Sequence, residues 1–440
     1  MAKKTNQESL KSSLSRREFL RMTGSAAATL PLWLNGSGCA PMSAGLPDSS
    51  TGLCFAYSAG DVTSNRAIVW LRAETGSLVS LHYGTEPRLG RFTETGPFSV
   101  DKECDDTAKI TLQGLKPATT YYYRAAVNGK KPGPVARFAT APKPDDLATV
   151  KFCFSGDSRE SYQPFTIMDS IRSKQPNFFL HLGDTIYADI GGRAVHLPEF
   201  WAKYRRNRHD LPSQRLFADT STYVIWDDHE VSNNCGPGHP LMPVGRKAFF
   251  DYWPIERNPH DLNRLYRSFR WGKGVELFIL DVRQYRDHAR ETILGAQQKR
   301  WLFNGLASST AIFKFIATPV PFYGGGADKW DGFPGEREEV LRWIAGKDIK
   351  GVVFLAADVH YAAVGRIPGP LGLKEVVAGP IGSPMNVIAN GYLKRFEFFS
   401  NRTFNYAMVT VDPKNSTPRA KIELVADDGK TLYETKFEAS

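Results

Sequence analysis

The chain has 440 residues, 56 Lys and Arg against 46 Asp and Glu, and a formal net charge of +10. At about 150 residues per domain it is long enough for two or three cores, and 42% hydrophobic with 23% charged residues is a globular composition that excludes disorder, collagen and coiled coil. No run of about 18 apolar residues occurs, which excludes a helical membrane protein, and beyond the N-terminus the basic excess forms no Lys/Arg block, so it reads as solubility favouring anionic substrates rather than a specific nucleic-acid partner.

The first 39 residues read as a delivery signal. A basic start leads into Ser15-Arg16-Arg17-Glu18-Phe19-Leu20 and then a mildly apolar stretch from Ala26 to Leu34, broken by Pro31, too short and too weakly apolar to span a bilayer. The twin arginine followed by Phe-Leu resembles a twin-arginine export signal, with an exposed basic tail as the alternative. The resemblance implies the twin-arginine machinery as partner, a periplasmic or secreted destination, and export in a folded state that allows a metal to be loaded beforehand. Gly36-Ser37-Gly38-Cys39 has the small residues and Cys of a lipoprotein site, but Gly36 stands where Leu is expected. A lipid anchor at Cys39 and ordinary cleavage nearby both stay open. The spacings of Cys54, Cys104, Cys153 and Cys235 match no zinc site, and an oxidising compartment permits a Cys54–Cys104 disulfide without requiring it.

From residue 53 to 140, short runs with period-two alternation predict an antiparallel β-sandwich: Ala67 to Arg72, Val79 to Gly84, Ala108 to Leu112, Thr119 to Val127 and Val135 to Thr140. Leu115-Lys116-Pro117-Ala118-Thr119-Thr120-Tyr121-Tyr122-Tyr123 resembles the fibronectin-like pattern in which a Tyr caps the corner before a strand. No acidic or His cluster appears here, which suits a packing or binding module. Residues 141–148 are a Pro-rich, polar linker. From 149 to 440, apolar runs of buried-strand length (Val150 to Ser155, Asn177 to Leu182, Tyr223 to Trp226, Val275 to Leu280, Phe313 to Thr318, Val352 to Ala357) alternate with helical stretches (Pro164 to Lys174, Pro198 to Arg208, Gly245 to Trp253, Gly295 to Leu306, Gly335 to Ile344). That alternation predicts a layered α/β architecture. Strands return at Asn405 to Val411, Ala420 to Leu424 and Thr431 to Phe437, the last pair joined by the hairpin turn signal Asp427-Asp428-Gly429.

Four apolar runs end in acidic or imidazole groups: Gly156-Asp157, Gly183-Asp184, Asp227-Asp228-His229-Glu230 and Asp358-Val359-His360. Residues just beyond the carboxyl ends of neighbouring strands converge on one crevice in an open α/β sheet. Converging carboxylates require cations or sharply raised pKa values. Oxygen and imidazole without a strand-end thiol suit Ca, Mn, Fe(III) or Zn, and two cations bridged by one carboxylate serve phosphate ester hydrolysis best.

The region from Phe152 to the final Asp/His pair resembles the PhoD-like alkaline phosphatases of the metallophosphoesterase superfamily. The match rests on His181-Leu182-Gly183-Asp184-Thr185-Ile186-Tyr187 followed by Trp226-Asp227-Asp228-His229-Glu230, with Leu280 to Arg286, Ala317 to Val320 and Trp330 to Arg337 similar to further family signatures. The sandwich before it resembles that family's N-terminal domain. The resemblance implies a layered αββα sandwich preceded by a fibronectin/Ig-like domain, and a phosphatase or phosphodiesterase acting through a metal-bound hydroxide. It implies Asp184 as bridging carboxylate, Tyr187 as a tyrosinate ligand favouring ferric iron, Asp228 as a ligand and His229 as a hydrogen-bonding or proton-donating group near the leaving oxygen. It also implies Asn233 as a calcium ligand, and Asp358 and His360 as the closing metal ligands. Asp157 stands where the family usually has Cys, and Cys153, about 13 Å back along the strand, does not replace it. Iron with calcium remains the expected pair, with manganese or zinc brought closer by the carboxylate.

Several residues keep two readings. Asp157 is either a ligand or a turn former. Arg159 either clamps phosphate or pairs with Asp157 or Glu160. Asp281 and Arg283 either position substrate or brace the sheet, His181 is expected to pack between layers, and His288, Asp227 and Glu230 are supporting or structural candidates. The rival function is a periplasmic binding protein with a degenerate phosphoesterase domain.

Overall fold

The computed structural model describes residues 51–130, 132–369, 371–389 and 395–439; the export signal and Cys39 lie outside them. Two stacked sheets position the site. One has seven strands, in spatial order Arg267–Trp271, Val275–Ile279, Phe313–Ala317, Val352–Ala356, Lys374–Val377, Ala362–Arg366 and Phe396–Ser400. The run from Val275–Ile279 to Lys374–Val377 is parallel. Its first three strands are apolar on both faces, as strands covered on two sides must be. Successive side chains therefore enter different cores. Leu277, Phe315 and Val353 join the core between the sheets, whereas Phe278, Ile316 and Phe354 pack with Leu302 and Leu306 of the Gly295–Ser308 helix and Val340 and Ile344 of the Pro334–Gly346 helix.

The second sheet has nine strands: Thr431–Glu438, Arg419–Ala426, Asn405–Asp412, Val150–Ser155, Phe178–Leu182, Ser221–Ile225, Ser58–Gly60, Arg66–Arg72 and Thr107–Gln113. Phe152 stacks on Phe178 with ring centroids 4.7 Å apart and meets Phe315 of the facing sheet edge-on at 5.2 Å. Phe200, Leu216 and Phe249, from the helices Leu197–Arg208, Leu211–Asp219 and Met242–Tyr252, join the same core. Helices and sheets thus lie in the αββα order expected. The Leu211–Asp219 helix was not evident from apolar periodicity; it is declared by its cap, where the Asp210 carboxylate accepts from the Ser213 amide at 3.0 Å.

The N-terminal sandwich has its own core, in which Val69, Leu71 and Ile110 face Leu81, Tyr123 and Phe138. Its second sheet is Thr93–Glu94, Leu78–Gly84, Thr120–Val127 and Ala136–Ala139, with Phe98–Ser99 also on Leu78–Gly84. Its first sheet is continuous with the large one, because Gly60 pairs in parallel with Thr222. A Cβ on Gly60 would lie 2.4 Å from Pro254 Cγ and 2.7 Å from Thr222 O, so only glycine permits this junction. At the predicted corner, the Tyr121 hydroxyl accepts from the Lys116 amide at 2.9 Å. Cys54 and Cys104 are both free thiols.

Candidate metal centre

The strands Val150–Ser155, Phe178–Leu182 and Ser221–Ile225 are parallel neighbours, with His181 opposite both Ser155 and Val224. Their carboxyl ends therefore deliver Asp157, Asp184 and Asp227-Asp228 to one edge, while Val352–Ala356 of the facing sheet delivers Asp358 and His360. The sheets touch at Gly156, where a Cβ would come within 2.7 Å of the Ala357 Cβ. The turns that carry these side chains are backbone-strained: Asp157, Asp184, Asp358 and His360 have φ of 65°, 54°, 68° and 56°. Non-glycine residues are held there only when their surroundings over-determine it, and such positions cluster at functional sites.

Three groups of side chains offer donor atoms within 4.8 Å of one another: Asp157, Asp184 and His360; Asp184, Asp228 and His229; Asp227, Asp228 and Asp358. Asp184 belongs to the first two and Asp228 to the last two. Both oxygens of Asp157 and Oδ1 of Asp228 are buried without a hydrogen-bond donor, and the nearest cationic group to Asp157 is His360 Nε2 at 3.6 Å. Buried carboxylates left this way are costly unless a cation meets them, so the residues present fit bound metal ions.

The rest of the centre orients these groups. His229 Nδ1 lies 2.7 Å from Asp189 Oδ1, and the other oxygen of Asp189 accepts from the Asn233 amide at 2.7 Å. The Asn233 amide is thus tied to the centre, and the residue itself is exposed. The Tyr187 hydroxyl lies 3.0 Å from Ser383 Oγ and 3.4 Å from His360 Nε2, and its ring packs against His229 with centroids 4.3 Å apart. Arg159 is half-buried and makes no ion pair among the described residues; Glu160 is taken by Lys203 at 3.3 Å and Arg206 at 3.6 Å.

Residues 152–416 match the profile of the PhoD-like phosphatases, and residues 48–142 match that of the PhoD-like phosphatase N-terminal domain. The chain belongs to the PhoD-like phosphatase family. Alkaline phosphatase D of Bacillus subtilis strain 168 is 26% identical over 78% of this chain and 71% of its own. In fold, this PhoD-like phosphatase superposes on a structure of PhoD with a TM-score of 0.80 at 22% identity, covering 89% of this chain and 91% of the other. A purple acid phosphatase, PPD1 from yellow lupin seeds, superposes with a TM-score of 0.63 at 15% identity, covering 88% and 75%.

The electrostatics of this phosphatase follow from burial and crowding. Burial, then the charges of Asp228, Asp227 and Asp157, drive the Asp184 carboxyl far above the usual range. Burial likewise lifts Asp157, against the pull of His360, and Tyr187, whose hydroxyl also feels Asp184 and Asp157. Burial works to raise Asp228, but Arg283, His229, the Asn234 amide and Lys329 outweigh it and bring its pKa down. Burial lowers His229, yet the Asp189 hydrogen bond and the charges of Asp228 and Asp189 raise it overall.

Other residues of the same motifs brace the centre. The buried Glu230 carboxylate accepts from the backbone of Asp184 (3.1 Å), Thr185 (2.6 Å) and Asp227 (2.9 Å), locking two ligand turns together. Arg283, fully buried, donates to both oxygens of Asp227, at 2.6 and 3.0 Å. Asp281 braces the sheet edge, accepting from Trp226 Nε1 at 3.1 Å and from Gln284 Nε2 at 2.6 Å. His181 packs against Trp253 and lies 3.1 Å from Ser158 Oγ, with burial pushing its pKa down to about 3. His288 stacks on Phe333. Asp189 and Lys329, which sequence reasoning passed over, lie in loops whose place beside the centre only folding sets; the spacing of Asp189 from Asp184 was the one available signal.

Proposed function

We propose that this chain is an exported, metal-dependent phosphoric ester hydrolase that cleaves phosphomonoesters or phosphodiesters by in-line attack of water. The observation that carries the reading is the convergence of Asp157, Asp184, Asp228, His229 and His360 on one buried edge, in a chain of a phosphatase family. Asp157, Asp184 and His360, with Tyr187, would hold one cation; Asp184 and Asp228, with Asn233, would hold another. Asp358 belongs to the same cluster of carboxylates. Bound cations would polarise the phosphoryl group and lower the pKa of the attacking water. Fe(III) beside the Tyr187 phenol and Ca among carboxylates are the proposed ions, with Mn or Zn as alternatives that a thiol-free donor set accepts.

The protein's own groups divide the remaining work. Asp189 fixes the His229 ring through Nδ1 at 2.7 Å, leaving Nε2 to donate a proton to the leaving oxygen, and the raised pKa of His229 favours the protonated form an acid needs. Arg159, free of ion pairs among the described residues, offers its planar fork to phosphate oxygens. The Arg16-Arg17 signal carries the protein to the periplasm or beyond, with Cys39 as the site of a lipid anchor if cleavage follows the lipoprotein pattern. No helix among the described residues is long and apolar enough to cross a membrane.

The test is elemental analysis of the purified mature protein, with hydrolysis of a nitrophenyl phosphate monoester and of a bis-nitrophenyl diester measured with and without chelator. Loss of both metal and turnover in Asp184→Asn is the expected result. A metal-free wild-type protein, or turnover that Asp184→Asn leaves untouched, refutes the proposal.

A further inference from the structure

The three ligand groups are not electrostatically alike. At the first, Asp157 has two buried oxygens with no donor and only His360 nearby, at 3.6 Å. At the third, Asp227, Asp228 and Asp358, the oxygens Asp228 Oδ1 and Asp358 Oδ2 are likewise buried without a hydrogen-bond donor, but the protein provides a cation beside each. Arg283 donates twice to Asp227 and lies 3.6 Å from Asp228 Oδ1, and the Lys329 ammonium ion-pairs with Asp358 Oδ2.

Lys329 is not a surface lysine that happens to reach inward. It is 9% exposed and also lies 3.2 Å from Asp328 Oδ2. Gly325 leaves room for its stem, since a Cβ there would stand 2.5 Å from Lys329 Cδ. Its backbone is closed into a turn, with the Lys329 amide donating to Gly326 O at 3.1 Å and the Gly332 amide donating to Lys329 O at 3.0 Å. Buried Arg286 ties this turn to the metal centre: it donates to Asp328 O at 2.9 Å and to Asn234 O in the segment that follows Asp228. A compact ammonium on a clamped stem is a fixed point charge.

We infer that Lys329 is a resident cation of this centre, neutralising the Asp227–Asp228–Asp358 group in place of a metal ion, so that ions enter only at the other two groups. Four carboxylates there, Asp328 included, face two permanent positive charges, and a divalent ion would add its repulsion from both to the cost of its own dehydration. Asp358 then serves the centre by holding Lys329. This inference rests on the metal-centre reading above, and the ion count separates the two.

The experiment is elemental analysis of the full chain after saturation with calcium or manganese and removal of loose ions, with calorimetric titration of the same samples. Wild type is expected to hold no more than about two ions per chain, Lys329→Arg the same number, and Lys329→Met to gain a further ion. A third ion in the wild type, or no gain in a Lys329→Met protein with wild-type circular dichroism, overturns the role of Lys329 while leaving the centre metal-binding. No ion in the wild type overturns the metal-centre reading itself. If Lys329→Met does not fold, the wild-type count alone decides, since a third ion contradicts the inference and two support it.

Discussion

Catalytic competence in this centre depends on which atom of each side chain is free. His229 presents Nε2 because Asp189 occupies Nδ1 at 2.7 Å, a pairing that fixes both ring orientation and tautomer. Asp189→Asn keeps the shape and removes the charge, so kcat is expected to fall about 10- to 100-fold with little change in KM, as read by steady-state kinetics on a phosphate monoester. An unchanged kcat would mean that the ring needs no such partner. Arg159→Ala is expected to raise KM for both ester types, because its guanidinium, unpaired among the described residues, is assigned to substrate oxygens rather than to the fold. At this scale the motif residues Asp157, Asp184, Asp228 and His360 were legible because each closes an apolar run. The exposure of Asn233 and the partner of Asp358 were not, because a carboxylate's partner across 29 residues, as with Lys329, leaves no local pattern.

Among the elements, the turns after the strands hold the candidate ligands in conformations that most residues avoid. Gly183 has φ 94°, and a Cβ there would stand 2.6 Å from the Asp227 Cβ. Gly183→Ala is therefore expected to destabilise the protein by about 2 kcal/mol or more, from an incompatible backbone and an overpacked contact, measured by denaturant unfolding. A loss within about 0.5 kcal/mol, the range of neutral surface changes, would show that the two turns move apart freely. Alternation made the strands readable: Leu277 and Phe278, or Val353 and Phe354, face different cores, and their run of apolar residues announced a doubly covered strand. Lys374–Val377 and Phe396–Ser400 carry charged or half-buried positions and short lengths, so their propensity alone did not separate them from loop.

For the whole molecule, the buried carboxyls make stability depend on metal and pH together. Asp157, Asp184 and Asp227 have pKa values raised above 3.8, burial being the main cause in each, and burial notwithstanding, acidic neighbours raise His229 and His360 above 6.5. Groups that bind protons more tightly when folded contribute fully below their unfolded pKa and lose that contribution as pH rises through the folded value. Metal-free protein is thus expected to melt at a higher temperature at about pH 5 than at about pH 8. Adding metal should favour the ionised ligands and reverse or erase the difference, with about 2.7 kcal/mol gained at a hundredfold excess over Kd. Scanning calorimetry of chelated and loaded samples checks this, and a pH trend that ignores metal would refute it.

The order of elements, a layered α/β architecture and the strand-end acids could be read from residues alone, because hydrophobic periodicity and turn chemistry are local properties of a chain; the αββα order was implied only by the family resemblance. Tertiary structure alone decided that the sandwich shares a sheet with the larger body through Gly60 and Thr222, that Glu230 and Arg283 lock the ligand turns, and that Lys329 meets Asp358. Those are contacts between segments far apart in sequence, settled by how whole sheets pack and where each buried charge finds its opposite.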